Sequence, residues 1–334
     1  MTASISINIP SYKYERYIRT AIESALAQTV TPLEILISDN HSPDRSYEIA
    51  KEYERVAGVR LIRPPRHLML GEHYQFVLEE AKGDYVCFLA ADDALMPSFI
   101  ARMQKALGNS SKIGMLAAAC LECDKSLVPR CVRGLGMPHK DLQPPDAYRH
   151  FTDGCTYSMT ATIFARGLLR QLKALPTDAG MTTDWYWGLL LGLKTELRFL
   201  HEPLGYCRIH DANASYSGEA RWREQALVML RFVKETANIE GELMEDLEEA
   251  LRTLELSVAG SGDESSSATL LFKTKKVLKT WLAYRYRGIS PVLRMAEQGK
   301  SMALSKPPEK LSTSLSVART AIEQGQSVKA ASKI

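Results

Sequence analysis

Over the first 110 positions, apolar residues fall alternately into short runs and helical repeats. Residues 4–9 (SISINI) are a β-branched run closed by Pro10. From about Tyr14 to Gln28, the positions Tyr17, Ile18, Ala21, Ile22, Ala25 and Leu26 recur at helical spacing. LEILIS (33–38) has the pattern of a buried strand and runs straight into Asp39, Asn40, His41, Ser42, Pro43 and Asp44, a cluster of turn and capping residues. The pattern then predicts a helix over 45–56, a strand at VRLIR (59–63), a break at Pro64 and Pro65, and a helix over about 72–82 capped by Gly83. DYVCFLA (84–90) is a fourth apolar strand, followed by Ala91, Asp92 and Asp93, and Pro97 opens a helix reaching about Leu107.

Four strand–helix alternations with connections of this length suit parallel strands joined by right-handed crossovers, so this part is expected to be a doubly wound α/β unit. Ligands gather at the carboxyl ends of the strands in such sheets. Tyr12, Asp39, Asp92 and Asp93 all fall at those ends. From 111 to 215 the pattern is more mixed. GMLAAAC (114–120), TYSMTATIFA (156–165), ELRFL (196–200) and LGYCRIH (204–210) are expected as strands, DWYWGLLLGL (184–193) as a short helix, and 129–150 as a long loop. Beyond 215 the chain is mostly helical in pattern, interrupted by GSGDESSS (260–267), a flexible linker by composition. The expected organisation is one domain over 1–215, with a nucleotide-binding half (1–110) and an acceptor-side half (111–215), then a helical region (216–305) and a flexible polar tail (306–334).

The length of 334 residues allows one large α/β domain with an appendage, and 45% hydrophobic with 24% charged residues excludes wholesale disorder. A net charge of +3 is too mild to point to nucleic acid, which calls for a concentrated basic stripe. The N-terminus MTASISINIPSYKYERY lacks a basic leader followed by an apolar run, and nowhere do ~18 apolar residues run without charge. A cytoplasmic setting with reduced thiols is therefore expected for the six cysteines. Cys120 and Cys123, with Cys131 and His139 nearby, have part of a zinc spacing, but the second ligand pair is missing and plain thiols are the alternative.

Two adjacent carboxylates at a strand end repel unless a cation or hydrogen-bond donors sit among them. Asp92 and Asp93 suit Mg²⁺ or Mn²⁺ bridging phosphate oxygens, or else a solvated turn in which one Asp caps the next helix. Asp39 suits hydrogen bonding to a base or ribose, or an Asx turn. Tyr12, beside Pro10, is either a surface aromatic or a stacking platform.

ISINIPSYKYERYIRTAIESALAQT, LEILISDNHSPDRSYEIA and AKGDYVCFLAADD, in this order and spacing, resemble glycosyltransferase family 2, of the GT-A fold. The resemblance covers about 4–107 strongly and 156–215 more weakly. It implies a GT-A type, mostly parallel sheet flanked by helices, and an inverting, metal-dependent transfer of a hexose from a nucleotide-sugar, UDP-linked in the first instance, to a hydroxyl. It also implies roles. Pro10 and Tyr12 line the base pocket with Glu15 at its edge, Asp39 binds the nucleoside, Asp93 is a metal ligand, and Asp92 contacts ribose or metal. Thr183-Asp184-Trp185-Tyr186-Trp187 matches the segment that carries the family's acidic base. Thr183 stands where a first acid is frequent, so the role falls to Asp184 alone, which also suits a helix cap. Tyr206-Cys207-Arg208-Ile209-His210 resembles the family's Tyr-x-Arg-x-His ending, which implies Arg208 at the diphosphate and His210 as either a third metal ligand or a phosphate contact. The stretch Gly71-Glu72-His73-Tyr74-Gln75-Phe76 lacks the phosphate-contacting Arg or Asn of many members.

Residues 269–287 (TLLFKTKKVLKTWLAYRYR) form a basic amphipathic pattern, expected either to pack on the domain or to lie on an anionic membrane surface. The second reading places the enzyme at the inner face of the cell membrane, with a saccharide or lipid-linked acceptor of surface polysaccharide or glycolipid assembly. Two other classes share the pattern. A Rossmann-type oxidoreductase is disfavoured, because Pro10-Ser11-Tyr12-Lys13 stands where a Gly-x-Gly-x-x-Gly turn would follow the first strand. A non-catalytic nucleotide-binding scaffold is the other.

Overall fold

The structure is a computed structural model, and it describes residues 2–110, 112–134, 136–210 and 219–259. Residues 1–110 hold β1 (Ile5–Ser11), α1 (Ile18–Leu26), β2 (Glu34–Asp39), α2 (Ser46–Lys51), β3 (Val59–Ile62), α3 (Leu70–Glu80), β4 (Tyr85–Phe88), β5 (Ala94–Leu95) and α4 (Phe99–Leu107). Then come β6 (Ile113–Cys123), β7 (Pro129–Arg133), α5 (Asp146–Thr152), β8 (Thr162–Ala165), α6 (Arg166–Leu169), α7 (Thr183–Leu191) and β9 (Glu196–Arg208). A hairpin of α8 (Glu219–Thr236) and α9 (Glu242–Ala259) completes the described chain.

Among the described residues, nine strands make one mixed sheet in the order β3-β2-β1-β4-β8-β6-β9-β5, with β7 added on β6. The block β3-β2-β1-β4 is parallel, as its crossover lengths require. β8 runs antiparallel to both β4 and β6. Side chains alternate across the sheet, so Ile5, Ile7 and Ile9 of β1 join Ile18 and Ile22 of α1 and Phe99 of α4 in one core. Leu36, Val86 and Phe88 project to the other face, with Val77 of α3, Tyr148 of α5 and Trp187 of α7.

Several elements depart from the sequence expectation. Gly83 does not cap α3, which ends at Glu80 with Ala81 already extended. Gly83 is instead where the chain crosses β1, since a Cβ there would lie 2.7 Å from the Ser6 nitrogen. The two strands expected at 196–200 and 204–210 are one strand, β9, whose pairing with β6 shifts opposite Ala118–Cys120 so that Pro203 is accommodated. Of TYSMTATIFA only Thr162–Ala165 is strand, and Met159–Ala161 is a 3₁₀ turn. The stretch 129–150 is not one loop. It pairs β7 with β6 and buries Ala147, Tyr148 and Phe151 of α5. α1 starts later than the apolar pattern, because the backbone N–H groups of Lys13, Tyr14 and Glu15 donate to the side chains of Ser42, Ser46 and Asp44. α2 ends at Lys51, well before the expected position 56.

The helical hairpin lies across the second half. Arg149 of α5 meets Glu242 at 2.7 Å and Asp246 at 3.1 Å on α9. The linker at 260–267, the basic stretch 269–287 and the tail lie outside the described residues. Among the described residues, no helix is long and apolar enough to cross a membrane.

α5 meets the C-terminal end of α7 backbone to backbone at Gly192, where a Cβ would stand 2.6 Å from the Tyr148 nitrogen. Gly192→Ala should therefore push the two helices apart and cost about 1–3 kcal/mol in urea unfolding. A midpoint equal to that of the parent protein would show that the contact yields freely.

Candidate active site

The carboxyl ends of β1 and β4, the segments 67–70 and 157–160, the 3₁₀ turn Thr177–Thr182, the start of α7 and the end of β9 enclose a cleft of about 410 Å³. Pro10, Tyr12, Asp92, Asp93, Asp184 and Arg208 line it.

Asp92 and Asp93 sit in the turn between β4 and β5, both buried. The Thr160 hydroxyl donates to Asp93 Oδ2 at 2.5 Å, and the Arg208 backbone N–H donates to Oδ1 at 2.7 Å. His210 Nε2 lies 3.0 Å from Asp92 Oδ2. Burial raises the pKa of both carboxyls. For Asp93 the neighbouring Cys207 and Asp92 raise it further, while for Asp92 the contact with His210 opposes the rise. The Arg208 guanidinium donates from Nε to the Asp92 carbonyl at 2.6 Å and from Nη1 to the Lys125 carbonyl at 2.8 Å, and it lies over the Tyr17 ring. Arg208 thus ties the end of β9 to the acidic turn.

Asp184 lies in the first turn of α7. Its Oδ1 accepts the Trp185 N–H at 2.8 Å, and the Tyr157 hydroxyl donates to its main-chain carbonyl. Burial raises its pKa, partly offset by the Trp185 N–H and the Arg133 charge. Tyr74 lines the same cleft, and its phenol is held protonated by burial and then by the fields of Asp184, Asp92 and Asp93.

Asp39 ends β2 and is fully buried behind the cleft rather than lining it; its strand partner Ser11 and its neighbour Asn40 form that stretch of wall. Arg63 grips Asp39 Oδ2 through Nε at 3.0 Å and Nη2 at 2.8 Å, and the Ser42 N–H adds a bond at 3.1 Å. Oδ1 of Asp39 and the Ser11 hydroxyl are buried with no hydrogen-bond partner. Asn40 clamps Leu68 in both directions, donating to its carbonyl at 2.8 Å and accepting its N–H at 2.9 Å. Tyr12 is exposed at the rim, with its ring 4.6 Å from that of His67. Glu15 is not brought to the cleft. Its Oε2 accepts the Arg45 N–H at 3.1 Å and ties the loop after β1 to α2.

Sequence reasoning missed Arg63, Thr160, Tyr74, Tyr157 and Arg133. Arg63, a base directly after a strand, was the one with a local signal. The others reach the site only through pairing and packing.

As for a cation, two buried carboxylates with raised proton affinity are a hard-oxygen donor pair, which fits a small dication that takes its other ligands from phosphate and water. His210 is placed against Asp92 as a hydrogen-bond partner. Among the described residues, no group of three or more His, Cys, Asp or Glu is arranged to hold a metal. Cys120, Cys123, Cys131 and His139 form no such group, and all six cysteines are free thiols.

The parallel block, the strand-end acids and the second mixed half define a GT-A fold. Residues 6–126 match the family described as Glycosyl transferase family 2. An uncharacterized glycosyltransferase of Nostoc sp. is 28% identical over 66% of this chain and 69% of its own. Over residues 6–126 the chain is thus similar to glycosyltransferase family 2. Among solved structures, it resembles Staphylococcus aureus TarS 1–349 in complex with UDP-GlcNAc (TM-score 0.55, 16% identity, 97% of this chain and 92% of that one). It also resembles the mannosyltransferase PcManGT of Pyrobaculum calidifontis in complex with GDP-Man and Mn²⁺ (TM-score 0.51, 16% identity, 88% and 87%).

His73 lines the cleft, is buried, and has its Nε2 2.9 Å from the Ser38 hydroxyl; burial brings its pKa down to about 4. The unfolded imidazole takes up its proton near pH ~6.5, before the folded one does. This contribution is therefore complete above pH ~6.5 and fades as the pH falls toward 4. Relative to His73→Gln, the parent protein should lose on the order of 3 kcal/mol across that window in urea unfolding. A pH-independent difference would mean that the ring is hydrated.

Proposed function

We propose that this protein is an inverting, metal-dependent glycosyltransferase that moves a hexose from a UDP-sugar to an acceptor hydroxyl. The observation that carries the reading is the convergence of Asp92, Asp93 and Asp184 on one cleft, which Tyr74 also lines.

The nucleoside lies at the β1–β2 end. Tyr12 offers a ring face, and the unpartnered Asp39 Oδ1 and Ser11 hydroxyl match the imide edge of uracil once the Ser11–Asn40 wall in front of Asp39 admits it, with an N–H for the carboxylate and a carbonyl for the hydroxyl. Arg63 occupies Asp39 Oδ2, so one acceptor oxygen is left, which suits the single N–H of uracil better than the paired donors of guanine. Asp92 and Asp93 would hold the divalent cation, Mn²⁺ or Mg²⁺, with His210 steadying Asp92. When bound, it supplies neutralisation of the diphosphate leaving group. Asp184 takes the proton of the acceptor hydroxyl as that oxygen bonds to the anomeric carbon. The bond from that carbon to the diphosphate oxygen breaks on the opposite face, inverting the centre. The raised pKa of Asp184 suits a base.

A saccharide or lipid-linked acceptor of polysaccharide or glycolipid assembly, met at the inner membrane face, rests on the basic pattern of 269–287 alone. A non-catalytic scaffold would have no use for a buried carboxylate opposite the acidic pair.

With Mn²⁺ present, UDP should raise the melting temperature more than GDP or CDP does, and chelation should reduce the gain. Asp93→Ala should weaken UDP binding at least tenfold. Asp184→Asn should bind UDP as the parent does yet lose about 10²-fold or more of sugar transfer. The acidic limb of kcat should lie above the usual carboxylate range near ~4, since the base works only when ionised. Normal transfer by Asp184→Asn would remove the base assignment, and equal stabilisation by all three nucleotides would remove the uridine reading.

A further inference from the structure

The hairpin of α8 and α9 lies wholly outside the residues matched by the family, 6–126. Two of its contacts bracket Asp184. On one side, the Gln225 side-chain oxygen accepts the Met181 backbone N–H at 2.8 Å, three residues before Asp184. On the other, the Trp222 indole stacks on Trp185, the residue after Asp184, with ring centroids 5.6 Å apart and planes 7° from parallel. Gly180, Met181 and Asp184 all line the cleft.

Neither segment can shift independently of the hairpin. The Trp185 indole N–H donates to the Phe151 carbonyl of α5 at 2.6 Å, so its ring is gripped at both face and edge. α5 is joined to α9 by Arg149 and by the Tyr148 hydroxyl, which donates to the Leu243 carbonyl at 3.2 Å. α9 returns to α8 through Arg231 with Glu255 and Lys234 with Glu248, each at 2.8 Å. From the opposite side α3 presses on the same turn, because a Cβ on Gly180 would stand 2.8 Å from the Gly71 nitrogen. The turn carrying Met181 is therefore clasped between α3 and the hairpin.

We propose that Trp222 and Gln225 are positioning residues for transfer, so that the C-terminal hairpin holds the base carboxylate at its working distance from the acidic pair. The proposal rests on Asp184 being the base. A carboxylate in the first turn of a helix moves with that turn, and an ångström of displacement from near-attack geometry costs roughly 10²-fold in rate. The uridine end of the cleft, at the paired ends of β1 and β2, is built from other elements and should be indifferent to them.

The test compares Trp222→Ala and Gln225→Ala with Trp222→Phe, Gln225→Glu and Asp184→Asn in the full chain. Thermal stabilisation by UDP with Mn²⁺, sugar transfer from UDP-sugars, and amide exchange over residues 177–187 are measured together. The expected result is unchanged UDP binding, faster exchange at Met181 and the first turn of α7, and kcat lower by roughly 10–100-fold in the alanine variants. The Phe and Glu variants, which keep a stacking face and an acceptor oxygen, should recover most of both. Unchanged exchange or unchanged kcat in folded alanine variants overturns the proposal, and so does a parallel loss of UDP binding. If Asp184→Asn transfers normally, the base assignment falls and takes the proposal with it. If Asp184→Asn is inactive while the alanine variants match the parent, only the proposal falls.

Discussion

Burying two neighbouring carboxylates is costly unless donors are built around them, and the centre of this protein is organised by that requirement. Asp93 takes a hydroxyl from Thr160 and a backbone N–H from Arg208, while Asp92 faces His210. These donors come from the turn before β8 and from the end of β9 and just beyond it. Bringing them to β4 requires β8 beside β4 and β9 running back past β6 to pair with β5, the order that the sheet has. Arg208 fastens the arrangement through the Asp92 carbonyl, so the strand carrying the donor also fixes the backbone of the acids it serves.

The β1–β2 end follows the same logic on a smaller scale. Arg63 covers one oxygen of the buried Asp39, and the other has no hydrogen-bond partner. Asn40 fixes the 68–69 backbone that forms the adjacent wall. Opposite, the turn before α7 meets α3 where Gly71 and Gly180 let two backbones approach. The cleft width is therefore set by a backbone contact, and the side chains within it are carried on rigid strand ends and one helix start.

The misread elements share one cause. β9 carries a proline that looks like a strand break in sequence, yet its partner β6 shifts register to absorb it. The 3₁₀ turn Met159–Ala161 has strand-forming composition. Its Thr160 is instead held by Asp93, and the Thr162 hydroxyl bonds back to the Ser158 carbonyl. Gly83 had the position of a cap and is required by a strand crossing instead. Glu15 fell beside the base-pocket motif and turned out to bind the backbone of Arg45. In each case a partner distant in the chain outweighed a local preference.

The sequence by itself determined the alternation of strands and helices in the first half, the GT-A class, and the placing of Tyr12, Asp39, Asp92 and Asp93 at strand ends. These follow from periodicities of two and 3.6 residues and from turn chemistry, which act over a few positions. Tertiary structure alone decided that Asp184 shares a cleft with Asp92 and Asp93, that Arg63 holds Asp39, that Thr160 serves Asp93, and that the C-terminal hairpin grips the turn before Asp184. Thr160 and Asp93 stand 67 positions apart, and no local pattern encodes such contacts. They are chosen when the whole sheet closes, because only then does each buried polar group find, or fail to find, its partner.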